Sequence, residues 1–392
     1  MCLSTHPQMM VACCPNIEIF RSYRNAMIRH LNDPSLSSAC SDKAPLQDWY
    51  GTDERIALLD HLLEIAELDL PFAENEWDSF LEASIRRGKL ETADLTKKYH
   101  LLKGKTYFEI FSNLLDVIGR TRNCLNRKWI GLHETWILDF YPLLARAFPD
   151  ARFLVMFRDP RAIINSMLGV KNIDPEQVAQ ILSYVRHWRK YASLALRYSM
   201  DPQFTGRLHI TAHDLILIRP QETLHAICKA FDLEFDAKML DTRNYHNYAT
   251  GTVWTGNSSF EGKTEGISSH RALRWRQKMD TDTLALIEYL CGPDLALVGY
   301  PTQTDYADPA KPANSEMIEI LLKDYAGYSN WRSDLNDPLK DLGLEATRRQ
   351  LLCLNRPLAD KKLIRRTFLF QETYEALRSN YGPLLPALRE WL

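Results

Sequence analysis

The sequence carries no excess of either charge: 48 Lys and Arg stand against 50 Asp and Glu, a formal net charge of −2 over 392 residues. The field that would gather a polyanion or an anionic bilayer surface is missing. Neither nucleic acid nor a membrane is an expected partner, and any anion site has to be local. Apolar runs such as Phe153 to Phe157 are far short of the roughly 20 residues that cross a bilayer. The opening stretch MCLSTHPQMMVACCPN has neither the basic n-region nor the long h-region of a secretory signal, so the expected location is the cytoplasm. Eight cysteines are present, but none forms a CxxC pair and no His-rich run accompanies them. Zinc spacing is thus absent, and scattered thiols in a reducing compartment read as small buried hydrophobes. No GxxxxGK[ST] stretch occurs, which argues against an ordinary ATPase or kinase.

What is present is enough apolar residue, 45% of the chain, to fill a sizeable core. Residues 12 to 31 read as strand, turn and helix, with IEIF as the strand and an arginine-rich turn where glycine is usual. A helical insert at about 32–128 follows, with helical periodicity at 53–68, 75–88 and 106–122. Then KWIGLHE reads as a strand, WILDFYPLLARAF as a helix, ARFLVMF as a buried strand and DPRAIINSMLGV as a helix, with Asp159 as N-cap and Pro160 at N1. A long helix through RHWRKYASLAL, the strand GRLHITAHDL and the helix RPQETLHAICKAFDL continue the alternation. Strands alternating with helices predict an α/β fold, a three-layer α/β/α arrangement around a central parallel sheet. In such sheets ligands bind beyond the carboxyl ends of the strands. The organisation expected is an α/β domain over 1–300, a proline-rich linker at 301–314 and a helical C-terminal extension at 315–392.

The most informative stretch is FPDARFLVMFRDPRAIINSM, residues 148–167. Arg158 ends the buried strand and Ser166 lies two turns into the next helix. A guanidinium fork and a hydroxyl so placed can grip one phosphate. The alternative is that Asp159 and Arg161 pair at the surface while Ser166 faces solvent.

These residues resemble the 3′-phosphosulfate segment of the PAPS-dependent sulfotransferases, in which a strand ending in Arg-Asp-Pro-Arg is followed by a serine at this spacing. The resemblance extends over roughly residues 16–300: RHWRKYASLAL is similar to the family's Trp-containing helix, His213-Asp214 falls at its acidic pair, and RALRWRQKMD with LVGY matches its C-terminal signature. It implies a P-loop-like sulfotransferase fold, PAPS as sulfuryl donor, PAP as product, no metal, and Arg158 and Ser166 on the 3′-phosphate. Arg271 and Arg274 are the nearest candidates for further contacts to that phosphate from the Gly/Ser-rich loop at 253–275.

In GLHETW, His133 and Glu134 leave one predicted strand end, so either can serve as base toward a hydroxyl or amine acceptor; packing of His133 and a helix-end role for Glu134 is the other reading. The 5′-phosphosulfate loop of the family aligns with FRSYRNAM, placing Arg21, Ser22, Arg24 and Asn25 at the sulfonate and making Arg21 a catalytic candidate. Tyr23 stands there at the family's glycine, a departure that leaves side-chain charge to replace backbone donors. The expected activity is sulfuryl transfer to a small-molecule or metabolite acceptor. The alternatives are a PAP-binding or scaffolding pseudoenzyme with a decayed donor loop, and a P-loop kinase with degenerate motifs. Trp49, Tyr50, Trp77, Tyr107 and Phe108 are candidates to shape the acceptor pocket. Oligomeric state is open.

Overall fold

The computed structural model describes residues 2–33, 51–135, 137–168, 181–254, 266–331, 338–379 and 381–392. In chain order its principal elements are β1 (Met9–Cys13), α1 (Ile17–Leu31), α2 (Asp53–Glu64), α3 (Trp77–Gly88), α4 (Tyr107–Thr121), β2 (Trp129–His133), α5 (Tyr141–Ala147) and β3 (Phe153–Phe157). There follow α6 (Pro160–Leu168), α7 (Ile181–Met200), β4 (Leu208–Ala212), α8 (His213–Ile218), α9 (Pro220–Ala230), β5 (His246–Asn247), β6 (Thr252–Val253) and α10 (His270–Leu273). The C-terminal helices are α11 (Thr281–Val298), α12 (Ser315–Trp331), α13 (Pro338–Leu352), α14 (Lys361–Phe368) and α15 (Gln371–Arg378). The chain divides into two compact units, one of residues 1–37, 60–152 and 220–267, the other of 38–59, 153–219 and 268–392.

In the first unit β1 and β2 run parallel, with Met9 opposite Trp129 and Cys13 opposite His133. The segment IEIF, expected as a strand, is the first turn of α1. The reason lies in the apolar period: Ile19, Phe20, Tyr23, Met27 and Ile28 recur at helical spacing and all are buried. Burying side chains of this size is worth about 1.5–3 kcal/mol each, which outweighs the strand preference of a few β-branched residues. Phe20 packs edge-on against Phe140 at 5.0 Å between centroids, and Tyr23 against Tyr107 at 5.3 Å. The strand is instead the preceding MMVAC. At the start of α4, Thr106 Oγ1 accepts from the Glu109 N–H while Glu109 Oε2 accepts from the Lys105 N–H, which fixes that helix end.

In the second unit β3 and β4 run parallel, from Phe153 opposite Leu208 to Phe157 opposite Ala212. Pro160 opens α6 at N1 as the sequence predicts. The expected single central parallel sheet is corrected: among the described residues the strands form two parallel two-stranded ladders, one in each unit, and a small antiparallel pair, β5–β6. The C-terminal helices are built into the second unit through buried charge. Glu345 on α13 accepts from Arg186 Nε at 2.7 Å and from Arg189 Nη1 at 2.6 Å, both on α7. Arg348 on the same helix donates to Asp294 on α11 at 2.8 Å. Residues 301–304, expected as linker, are held by Glu288, whose carboxylate accepts from the Gln303 and Thr304 N–H groups and from Thr304 Oγ1.

Candidate functional site

In the first unit the turn that connects strand to helix is Cys13-Cys14-Pro15-Asn16, and it is held from several sides. The Cys14 N–H donates to the His133 carbonyl at 2.6 Å, the Asn16 N–H to Glu134 Oε1 at 2.5 Å, and Ser84 Oγ to Asn16 Oδ1 at 2.9 Å. The Tyr99 hydroxyl donates to the Pro15 carbonyl. Gly88, the last residue of α3, completes the seat, since a Cβ there would stand 2.9 Å from the Pro15 oxygen. Cys14 lies in the left-handed region with φ 46°, a conformation that favours glycine. The turn that does without glycine is therefore this one, four residues upstream of FRSY.

Residues Arg21, Ser22, Arg24 and Asn25 are corrected from turn to helix interior, because α1 begins at Ile17. Ser22 Oγ is 2.7 Å from the Tyr107 hydroxyl, and fully buried Arg24 donates from Nη2 to Asn25 Oδ1 at 2.7 Å. Helical periodicity of the apolar residues around them could have shown this. Pro15 followed by Asn16 ahead of an apolar-periodic run is the signal for the true turn, since Asn is a preferred N-cap.

His133 and Glu134 emerge together at the carboxyl end of β2, as the sequence predicts, and their environments then diverge. His133 is exposed, with Nδ1 3.9 Å from Cys13 Sγ. Glu134 is 5% exposed; burial, with Cys14 beside it, pushes its carboxyl well above the usual carboxylate range despite the Asn16 N–H. The Cys14 thiol beside Cys13 lowers the latter's affinity for its proton, and Cys13 in turn pushes Cys14 up. Asn16 Nδ2 is a buried donor with no hydrogen-bond partner among the described residues.

In the second unit Arg158 follows β3, and Trp188 Nε1 donates to its carbonyl at 2.9 Å, fixing the backbone at the strand end. Ser166 is buried on α6. His213 opens α8 at the carboxyl end of β4, and α10, which carries Arg271, packs on α8. Burial first, then Arg158 and Arg271, push the His213 imidazole down to about 4. Its Nδ1 is buried without a hydrogen-bond partner among the described residues. The turn bearing Arg274 packs on α6. Beside it Asp214 accepts from the Asp159 N–H at 3.1 Å, and burial with Asp159 nearby pushes its carboxyl up to about 6.

Arg161, by contrast, is structural. It donates to Asp159 Oδ2 at 2.7 Å and to Glu288 Oε1 at 2.6 Å, and its guanidinium lies 4.4 Å from the Trp275 ring centroid. This pair is buried, not at the surface. Of the residues named for the acceptor pocket, Tyr107 is a core residue, and Phe108 stacks on Phe148 at 5.2 Å. Trp77 packs edge-on against Phe72 at 5.4 Å. Trp49 and Tyr50 lie outside the described residues, as does the loop from 255 to 265. No described helix is long and apolar enough to cross a membrane.

Comparison with known proteins adds a family. The model of the sulfotransferase family matches residues 27–237. A Caenorhabditis briggsae protein named "Putative protein-tyrosine sulfotransferase" is 22% identical over 187 residues, covering 46% of this chain and 63% of that protein. A Caenorhabditis elegans protein of the same name is 21% identical over 183 residues, covering 46% and 68%. The chain thus spans just under two thirds of the first of these relatives. A sulfotransferase domain from the curacin biosynthetic pathway is similar at 13% identity with a TM-score of 0.37, covering 82% of this chain and 90% of that one. The sulfotransferase domain of the Synechococcus PCC 7002 olefin synthase gives 14%, 0.34, 80% and 92%. At those scores the two structures add nothing to the family match.

Proposed function

Because this chain belongs to the sulfotransferase family, we propose that it is a PAPS-dependent sulfotransferase acting on a hydroxyl or amine acceptor, with Arg158, Ser166, Arg271 and Arg274 as its hold on the donor's 3′-phosphate. The observation that carries the reading is the setting of His213. Two arginines act on a half-buried, neutral imidazole whose buried Nδ1 has no partner among the described residues. Positive charge gathered around a buried polar atom favours an anion, and a phosphate is the anion that the family's donor would bring. Arg158 supplies a guanidinium fork, Ser166 a hydroxyl donor, and His213 Nδ1 a third polar atom in the same unit. Bound PAPS would supply the sulfuryl group on a phosphate leaving group.

At the turn after β1 the buried amide Asn16 Nδ2 and the N-terminal N–H groups of α1 are the donors suited to an anion. This takes over the role first expected of Arg21, Ser22, Arg24 and Asn25. His133 is the better base of the two candidates, because its imidazole is exposed to an acceptor while the Glu134 carboxyl is buried and engaged by the Asn16 N–H. Nδ1 faces Cys13, so Nε2 is the nitrogen that takes the acceptor's proton.

The two relatives named for protein-tyrosine sulfotransfer favour a second acceptor class, a tyrosine phenol in a protein, over the small molecule or metabolite that the sequence suggests. Thermal shift with PAP and PAPS on the native protein and on Arg158→Ala tests the donor assignment. No shift of the native protein by either nucleotide at saturation overturns it. Transfer of labelled sulfate from PAPS to a tyrosine peptide or to small phenols and amines separates the acceptors. PAP binding with no transfer to any of them identifies the pseudoenzyme.

A further inference from the structure

Successive side chains of a β-strand point to opposite faces, so two adjacent cysteines at a strand end should hold their thiols apart. Here they converge: Cys13 Sγ and Cys14 Sγ are 3.9 Å apart, because Cys14 leaves the strand in the left-handed region at φ 46°. The parallel ladder then sets His133 directly opposite Cys13, and its Nδ1 lies 3.9 Å from Cys13 Sγ. The three ligand atoms all lie within 4.8 Å of one another. Around a tetrahedral zinc ion with Zn–S of about 2.3 Å and Zn–N of about 2.0–2.1 Å, two thiolate sulfurs sit roughly 3.8 Å apart and a sulfur and a nitrogen roughly 3.6 Å apart. The two edges at Cys13 match those of a metal triangle to within a few tenths of an ångström, and the third is no longer than 4.8 Å. Both cysteines are partly accessible and His133 is exposed, so an ion can reach the site. Thr135 Oγ1, 3.8 Å from Cys14 Sγ, or a water can fill the fourth position.

We propose that Cys13, Cys14 and His133 form a binding site for a thiophilic divalent cation of the zinc class at the β1–α1 turn. Binding makes two S–M bonds and one N–M bond and releases the two thiol protons to solvent, with no change of oxidation state. The site has a consequence that rests on the reading of His133 as base. An ion on Nδ1 fixes the remaining ring proton on Nε2, so that nitrogen becomes a donor and can no longer accept a proton. Occupancy therefore switches transfer off without touching Arg158 or His213.

Cobalt(II) is the probe. Titrated anaerobically into the reduced, metal-free full chain, it should bind at one equivalent. Thiolate-to-cobalt charge-transfer absorption and the strong visible bands of a tetrahedral ion should appear, and Zn²⁺ should bleach both. Cys13→Ser and Cys14→Ser should each lose about half of the charge-transfer intensity, and His133→Gln, which removes a direct ligand, should weaken binding by at least the roughly 10–100-fold that loss of a ligand's hydrogen-bond partner costs. Absence of these bands in the native protein overturns the site whatever the variants do. So does an unchanged spectrum in the Cys13→Ser/Cys14→Ser double variant, which would assign the signal to other cysteines. Turnover with Zn²⁺ at saturating PAPS separates the two claims: cobalt bands with inhibition support both. Cobalt bands with undiminished turnover keep the metal site and remove His133 as base.

Discussion

The Tyr300 hydroxyl donates to Asp214 Oδ2 at 2.6 Å, both groups almost wholly buried, and the residue just before Asp214 is the half-buried His213. Burial displaces the two adjacent titrating groups in opposite senses, Asp214 up to about 6 against the effect of the Tyr300 hydrogen bond, and His213 down to about 4.

Their contributions to stability run against each other over one pH window. Between about pH 4 and 6 folded Asp214 holds a proton that the unfolded carboxyl has released, so its contribution falls as pH rises. His213 holds no proton in the folded state between about pH 4 and 6.5 where the unfolded imidazole does, so its contribution grows as pH rises. Each displacement is worth roughly 3 kcal/mol at about 1.4 kcal/mol per tenfold change in proton affinity. Denaturant melts at pH 4 to 7 should show Asp214→Asn gaining stability with rising pH and His213→Gln losing it. Parallel curves for the two variants would refute this.

Glu345 is held well below the usual carboxylate range by Arg189 and Arg186, against the effect of burial. Glu345→Ala leaves two buried guanidinium groups without that partner and should cost about 3–5 kcal/mol in urea unfolding. Asp53→Ala, at the partly exposed pair with Arg366, should cost about 1 kcal/mol or less. Equal effects would mean that the C-terminal helices are not anchored through the buried charges.

Arg158→Ala should weaken PAP about 10–100-fold in calorimetric titration, the loss expected of charge-assisted hydrogen bonds. Arg24→Ala should instead lower the melting temperature, because Arg24 is fully buried inside α1. Its PAP affinity should remain within about threefold of the native protein. A larger loss of PAP affinity in Arg24→Ala than in Arg158→Ala would return the anion site to the arginines of α1.

Gly88→Ala should destabilise the fold by about 1–3 kcal/mol, since its new Cβ would meet the Pro15 carbonyl oxygen at 2.9 Å and Thr96 Cγ2 at 2.8 Å. A neutral result in thermal denaturation would show that the β1–α1 turn has room to move.

The sequence by itself determined the second strand-helix unit. Val155 and Phe157 in a short apolar run, Asp-Pro at the helix start and an arginine between them are local signals, and local sterics and hydrogen bonding suffice to place Arg158 and Ser166. It also determined that His133 and Glu134 leave one strand end. Only the tertiary structure decided what those two groups became. Glu134 and His133 share a strand end, yet one is sealed beneath the turn, its carboxyl pushed well above the usual range, while the other stays in solvent. Burial is a property of what packs from elsewhere in the chain, here Ser84, Gly88 and Tyr99. The first strand was misplaced because a short apolar run fits strand or helix equally, and the choice fell to contacts with Phe140 and Tyr107 far along the sequence. Nor does spacing reveal the thiol-imidazole triangle: Cys13 and His133 are 120 residues apart, and the parallel ladder alone brings them together.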